Sequence, residues 1–179
     1  MDYDTTEPNL DRSQPRCDCP LETLEATRAL AQRLARCLQS PMTLAIAGAL
    51  GAGKTQFVRY LVAALGGVEE AVTSPTYVLM QTYAARCKIH HFDFYRLTSS
   101  AQVWDLGIDE LYEQDCVVVI EWADKFAECL PADVVTISLN QLDAERRLAT
   151  LSSSGPRSAA VVSSLMGDSS IRSTPKDSG

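Results

Sequence analysis

"GALGAGKTQF" (Gly48–Phe57) decides the fold. Glycine, four residues, then Gly-Lys-Thr is the spacing of a phosphate-gripping loop, the Walker A pattern. Gly48, Gly51 and Gly53 allow backbone conformations closed to other residues and let amide N–H groups approach phosphate oxygens. The amides of 51–56, including those of Ala52 and Gln56, would form a nest at a helix N-terminus, where the helix dipole favours anions. Lys54 would set its ammonium on the β and γ phosphates, and the Thr55 hydroxyl would ligate Mg²⁺. With glycine at about 7% of an average chain, these four fixed positions coincide by accident in about one chain in a few hundred.

The flanking sequence has the context such a loop needs. "MTLAIAG" (42–48) reads as a buried strand, and "KTQFVRYLVAAL" (54–65) has helical spacing at Phe57, Tyr60, Leu61 and Ala64 before Gly66-Gly67 end it. Upstream, Leu24, Thr27, Leu30, Ala31, Leu34, Ala35 and Leu38 share one face at helical period, which predicts an amphipathic helix over 21–39, stopped by Pro41. Downstream, strands are expected at 76–84, 87–95, 116–122, 132–139 and 146–152, with two short helices hinged at Gly107 and another at 123–129. Strands alternating with helices predict an α/β class. The later strands lack crossover helices long enough for parallel pairing, so the expectation is a P-loop NTPase-like mixed β-sheet flanked by helices, in a single domain. Residues 21–152 form that domain. Residues 1–20, with three prolines, several acids and no periodicity, read as a flexible leader, and 153–179 as a disordered Ser-rich tail.

Two carboxylates stand where this chemistry needs them. Glu121 ends the apolar "VVVI" run, at the strand edge where ligands of such sheets bind, and would hold Mg²⁺ together with Thr55. The plainer alternative is a solvated charge opening the next helix. Asp93 lies between two phenylalanines in "HHFDFYRL", an awkward place for an unpartnered acid. It would orient the attacking water, complete the Mg²⁺ shell, or pair structurally with Arg96. His90 and His91 are neighbours on a strand, so at most one faces the nucleotide, and a lone strand histidine is more often a satisfied core or surface residue. In "TSPTY" (73–77), Thr76 would sense the γ-phosphate as switch loops do, unless this is an ordinary turn.

Composition excludes several classes. A net charge of −7 argues against a protein that grips nucleic acid alone, since that affinity rests on Lys and Arg at phosphates. No stretch reaches the roughly 18 to 20 apolar residues that span a bilayer, and the polar, acidic N-terminus lacks the chemistry of a secretory signal, so a cytoplasmic location is expected. Six cysteines fit a compartment where thiols stay reduced. Cys17-Asp18-Cys19 lacks zinc-type spacing and has no second pair. There is no Asn-Lys-x-Asp guanine-reading stretch, so adenine is favoured, and no Arg-rich lid of the kind small-metabolite kinases use.

Taken together, "GALGAGKTQFVRYLVAALG", "VTSPTY", "IHHFDFYRL", "LGIDELY" and "VVVIEWADKF" resemble, in order and separation, the bacterial TsaE (YjeE) family. The resemblance covers roughly residues 21–152, and the His-Phe-Asp-aromatic-Tyr-Arg-Leu run followed by Glu-Trp makes it specific. It implies a Mg²⁺-dependent ATPase required for the threonylcarbamoyladenosine modification beside the transfer-RNA anticodon. Lys54, Thr55, Asp93, Glu121 and Thr76 match the family's functional positions, and Trp122 matches a tryptophan that matters for activity. Thr27 and either Arg146 or Arg147 match residues near the adenosine end. The implied partners are a two-subunit threonylcarbamoyl transferase complex of the TsaB and TsaD families, with transfer RNA reached only through them. ATP binding and slow hydrolysis would reset that complex. One departure stands out: the family's acid after the first loop glycine is Ala49 here. A small-molecule kinase, and a nucleotide-gated structural subunit without useful turnover, are the alternatives.

Overall fold

The computed structural model describes residues 14–167. Seven strands form one mixed sheet: β1 (Arg16–Leu21), β2 (Met42–Ala47), β3 (Met80–Ala84), β4 (Lys88–Asp93), β5 (Cys116–Glu121), β6 (Val134–Gln141) and β7 (Arg147–Ser153). Their order across the sheet is β1-β7-β6-β2-β5-β4-β3. The four central strands β6, β2, β5 and β4 run parallel, and the outer pairs β1/β7, β7/β6 and β4/β3 are antiparallel. The expected mixed α/β sheet is therefore observed. β2 and β5 are buried almost throughout and apolar but for Thr43 and Glu121, as suits parallel central strands covered on both faces.

Helices α1 (Leu24–Cys37), α2 (Lys54–Ala64) and α5 (Pro156–Gly167) cover one face, packing on Leu44, Ile46, Val117, Val119, Ile137 and Leu151. The short α3 (Ser100–Trp104) and α4 (Ile108–Leu111) and a 3₁₀ segment at Ala123–Cys129 cover the other face, over Phe92, Phe94, Val118 and Ile120. Among the described residues no helix is long and apolar enough to cross a membrane.

Several boundaries differ from the sequence expectation. The first helix begins at Leu24, where Thr23 accepts a hydrogen bond from the Ala26 amide (3.1 Å) and caps it. Residues 16–20, read as the end of a flexible leader, and Leu21, read as the start of the first helix, form β1 instead. Cys17, Cys19 and Leu21 alternate inward against Leu151, Ala149 and Arg147 of β7, a period-2 pattern that Pro20 masks and an edge strand tolerates. Residues 156–167, read as part of a disordered tail, form α5. Its first amides, on Arg157 and Ser158, donate to the Asp133 carboxylate (2.8 and 2.9 Å), and Val161, Val162 and Leu165 are buried. The parts of the leader and tail at 1–13 and 168–179 lie outside the described residues. The 76–84 strand is shorter than expected because 73–79 forms a loop, and β3 starts at Met80.

Candidate nucleotide site

The site sits at the C-terminal ends of three adjacent parallel strands. Ile46 pairs with Glu121 across β2/β5, and Glu121 with Asp93 across β5/β4, so the two carboxylates and the start of the glycine loop share one level of the sheet. Strand periodicity also puts His91, Asp93 and Glu121 on the face that α2 covers, the same face as Ile89, Val117 and Val119. A polar group thus emerges where each apolar run ends, at the usual ligand edge of such sheets.

The loop itself needs its glycines. Gly48 has φ +145°, and a Cβ there would lie 2.5 Å from the Leu139 carbonyl oxygen on β6. Gly53 (φ 100°) stands at the N-cap of α2 with no side-chain cap, leaving that helix's first amides directed at the cleft. A cleft of about 300 Å³ opens beside the loop, lined by Leu50, Gly51, Gly53, Lys54, Thr55, Gln56, Ser74, Thr76, Asp93, Tyr95, Glu121 and Trp122. A second cleft of about 430 Å³ adjoins it and shares Gly53 and Gln56; Thr27, Ala52, Leu139 and Arg147 are among its walls.

Every charged group in the first cleft is engaged. Lys54, 5% exposed, donates to the carbonyls of Gly48 (2.6 Å) and Ala49 (2.9 Å), with its ammonium 3.6 Å over the Trp122 ring. Burial pushes the Lys54 ammonium below its ordinary pKa, against the opposing pull of Glu121, Asp124 and Asp93. Ala49 thus contributes its backbone carbonyl. The Thr55 hydroxyl donates to Glu121 Oε2 (3.0 Å). Paired hydroxyl and carboxylate oxygens are the hard donors that Mg²⁺ takes, through one or two carboxylates plus substrate phosphates. Asp93, 1% exposed, accepts from the Tyr95 amide (2.8 Å), from Ser74 (3.1 Å) and, through a short hydrogen bond, from Thr76. Arg96 is not its partner in this arrangement; the guanidinium lies over the Tyr77 ring.

Of the residues singled out from sequence, Gly51, Gly53, Lys54, Thr55, Gln56, Thr76, Asp93, Glu121 and Trp122 line the first cleft. Gly48 lies beneath the loop, and Ala52, Thr27 and Arg147 line the second cleft. Arg146 instead pairs with Asp143 (2.6 Å). Sequence reasoning missed Tyr95, whose ring lies tilted against Trp122 (centroids 4.9 Å apart), and Lys125, which ties down the carbonyls of Phe94, Tyr95 and Leu97. Trp122 itself holds a left-handed backbone (φ 58°), a strain that functional sites commonly carry.

A glycine loop thus joins the central strand β2 to a helix without a side-chain cap, beside carboxylates from β5 and β4, in a single domain built on a mixed α/β sheet. The chain belongs to the TsaE family: the model described as "Threonylcarbamoyl adenosine biosynthesis protein TsaE" matches residues 21–149. It is 38% identical over 124 residues to a Treponema pallidum protein named tRNA threonylcarbamoyladenosine biosynthesis protein TsaE, covering 69% of this chain and 91% of that one. A Rickettsia conorii protein of the same name is 34% identical over 132 residues, covering 73% of this chain and 75% of that one. The crystal structure of Bacillus subtilis YdiB superposes with a TM-score of 0.72 at 24% identity, covering 86% of this chain and 96% of that chain, which supports the fold.

Proposed function

We propose that this chain is a Mg²⁺-dependent ATPase, weak alone, that serves as a regulatory subunit of the bacterial machinery forming N6-threonylcarbamoyladenosine at position 37 of transfer RNA. One observation carries the reading: in a member of the TsaE family, Lys54, Thr55, Asp93 and Glu121 converge on one cleft beside the glycine loop. In this reading the triphosphate occupies the smaller cleft, at the end of α2 that no side chain caps. The adenosine occupies the larger one in the same reading, where Thr27 and Arg147 are among the walls.

Lys54 exchanges the carbonyls of Gly48 and Ala49 for phosphate oxygens, and its ammonium offsets the charge that builds there. Thr55 and Glu121 would hold Mg²⁺, which when bound neutralises phosphate charge. In hydrolysis a water oxygen bonds to the γ-phosphorus. The bond from that phosphorus to the β–γ bridging oxygen breaks, and ADP departs with the electron pair. Asp93 takes the water's proton, and it is free to do so once Thr76 leaves it for the γ-phosphate side. The turnover resets a transferase complex of TsaB- and TsaD-family subunits. With a net charge of −7, this chain meets transfer RNA through those partners.

ATP turnover by the purified chain, with and without the two partner subunits, tests this beside Lys54→Ala and Glu121→Ala. The expected result is slow turnover alone, raised by the partners and lowered at least about 10²-fold in both variants. Tight ATP binding with no turnover under either condition would make the chain a nucleotide-gated assembly subunit instead.

A further inference from the structure

A line of hydrogen bonds leaves the cleft and runs into the core, and the hydrolytic scheme makes no use of it. His91 is fully buried on β4, two residues before Asp93 and on the same face. Its Nε2 lies 2.9 Å from Glu121 Oε1, the oxygen that Thr55 leaves unused. An ionised carboxylate only accepts, so Nε2 carries the proton of this bond. The Tyr83 hydroxyl lies 3.2 Å from His91 Nδ1 and 2.6 Å from Gln81 Oε1, to which it donates, so with a neutral imidazole its single proton serves one of the two at a time. Gln81 Nε2 in turn donates to Thr73 Oγ1 (3.1 Å). Thr73 opens the 73–79 loop whose Ser74 and Thr76 hold Asp93. These contacts, with the backbone from Thr73 to Thr76, connect one carboxylate to the other through His91, Tyr83, Gln81 and the loop.

We propose that His91 is a positioning residue. It turns one oxygen of Glu121 toward Thr55 and, through Tyr83, ties that carboxylate to the loop that carries Thr76. The assignment rests on the nucleotide reading above only for what Glu121 binds; the tie itself is a property of the free protein. Glu121 is 2% exposed, and without the imidazole its Oε1 would face the core unpaired, a state that buried carboxylates leave by rotating. Partners that orient a metal-binding carboxylate set its affinity for the ion by tenfold or more. A histidine that merely fills a core position has no such reach into a distant loop.

The test uses the full chain with His91→Leu, which removes both links, His91→Gln, which keeps a donor for Glu121, and Tyr83→Phe, which cuts only the far link. Amide hydrogen exchange is followed without nucleotide, with the amides of 161–165 in α5 as the reference for global opening. Tyr83→Phe and His91→Leu are each expected to speed exchange across 73–79 about fivefold relative to that reference, the equivalent of one buried hydrogen bond. The second readout is the Mg²⁺ concentration giving half-maximal binding of a non-hydrolysable ATP analogue. It should rise at least about tenfold in His91→Leu and return most of the way in His91→Gln. Unchanged exchange in 73–79 overturns the tie, and an unchanged Mg²⁺ requirement overturns the positioning role. Should the unsubstituted chain bind no Mg²⁺-nucleotide, the nucleotide reading falls, and the exchange data still decide the tie.

Discussion

Replacing Gly48 by alanine isolates what the loop demands of its first glycine. Two penalties combine at this position. Its φ of +145° lies in a region that L residues rarely adopt, and a Cβ there would lie 2.5 Å from the Leu139 carbonyl oxygen and 3.2 Å from Ala52 Cβ. The carbonyl cannot yield alone, because Leu139 sits in β6 between β2 and β7. Backbone strain of about 1–3 kcal/mol and overpacking of about 1–3 kcal/mol sum to about 4 kcal/mol. Gly51 is the internal comparison: φ is +81°, but nothing lies within 4 Å of its Cβ. Gly51→Ala therefore carries mainly the conformational term, about 1 kcal/mol. The gap of about 3 kcal/mol corresponds to roughly 6–12 °C in Tm for a domain of this size. Urea unfolding followed by circular dichroism, with matched m-values, measures it directly. If Gly48→Ala proves as stable as Gly51→Ala, the close packing of the loop under β6 is wrong, and with it the argument that the pattern's first glycine is a steric requirement.

Ending the chain at residue 154 exposes the surface that Val161, Val162 and Leu165 cover, and should destabilise the domain by about 5 kcal/mol in urea unfolding, at about 1.5–3 kcal/mol per buried side chain. Burial lifts the Tyr83 phenol from 10.0 to about 12, so the unfolded chain loses its proton first as pH rises. Stability should then fall from about pH 10 to about pH 12, and Tyr83→Phe should flatten that descent in a pH series of urea midpoints. The Lys54 ammonium rests on the Trp122 ring, so an ATP analogue that draws the lysine away should change Trp122 emission. That change should vanish in Trp122→Phe, while Trp104→Phe keeps it.

The glycine loop, the strand ending at Glu121 and the acid at Asp93 were legible because each is a local signal: a spacing, an apolar run with a polar end, a charge among aromatics. What was not legible depends on partners distant in sequence. α5 reads as Ser-rich tail until Asp133, more than twenty residues earlier, is seen to accept its first amides. β1 exists because β7 offers it an edge, and a six-residue alternation containing Pro20 does not announce that by itself. Thr27 and Arg147 stand on opposite sides of one cleft only because β7 returns antiparallel beside β1 and α1 follows β1 directly. His91 carried a usable signal: strand parity places it with Asp93, two residues on, on the face that receives Glu121 and Thr55. The adjacent His90 obscured it, although that ring turns to the other face and bonds Thr82 (3.0 Å).

The site's groups are already paired before any ligand arrives, and this shapes what binding can do. Among the described residues no buried side-chain nitrogen or oxygen lacks a hydrogen-bond partner. Lys54 has two loop carbonyls and an indole face, Thr55 has Glu121, and Thr76 has Asp93. A triphosphate must therefore trade these contacts for its own, so the net gain per contact is far smaller than the gross strength of a charged hydrogen bond. The trade is not wasted. On the proposed function, a ligand that only touches the loop would displace Lys54 from its carbonyls, whereas one with a γ-phosphate would also compete for Thr76 and so loosen the 73–79 loop from Asp93. Only a ligand interacting differently with the two loop states can shift their balance. That requirement distinguishes the triphosphate from the diphosphate. On the proposed function, the same exchange that discounts affinity would make this loop a reporter of which nucleotide is bound.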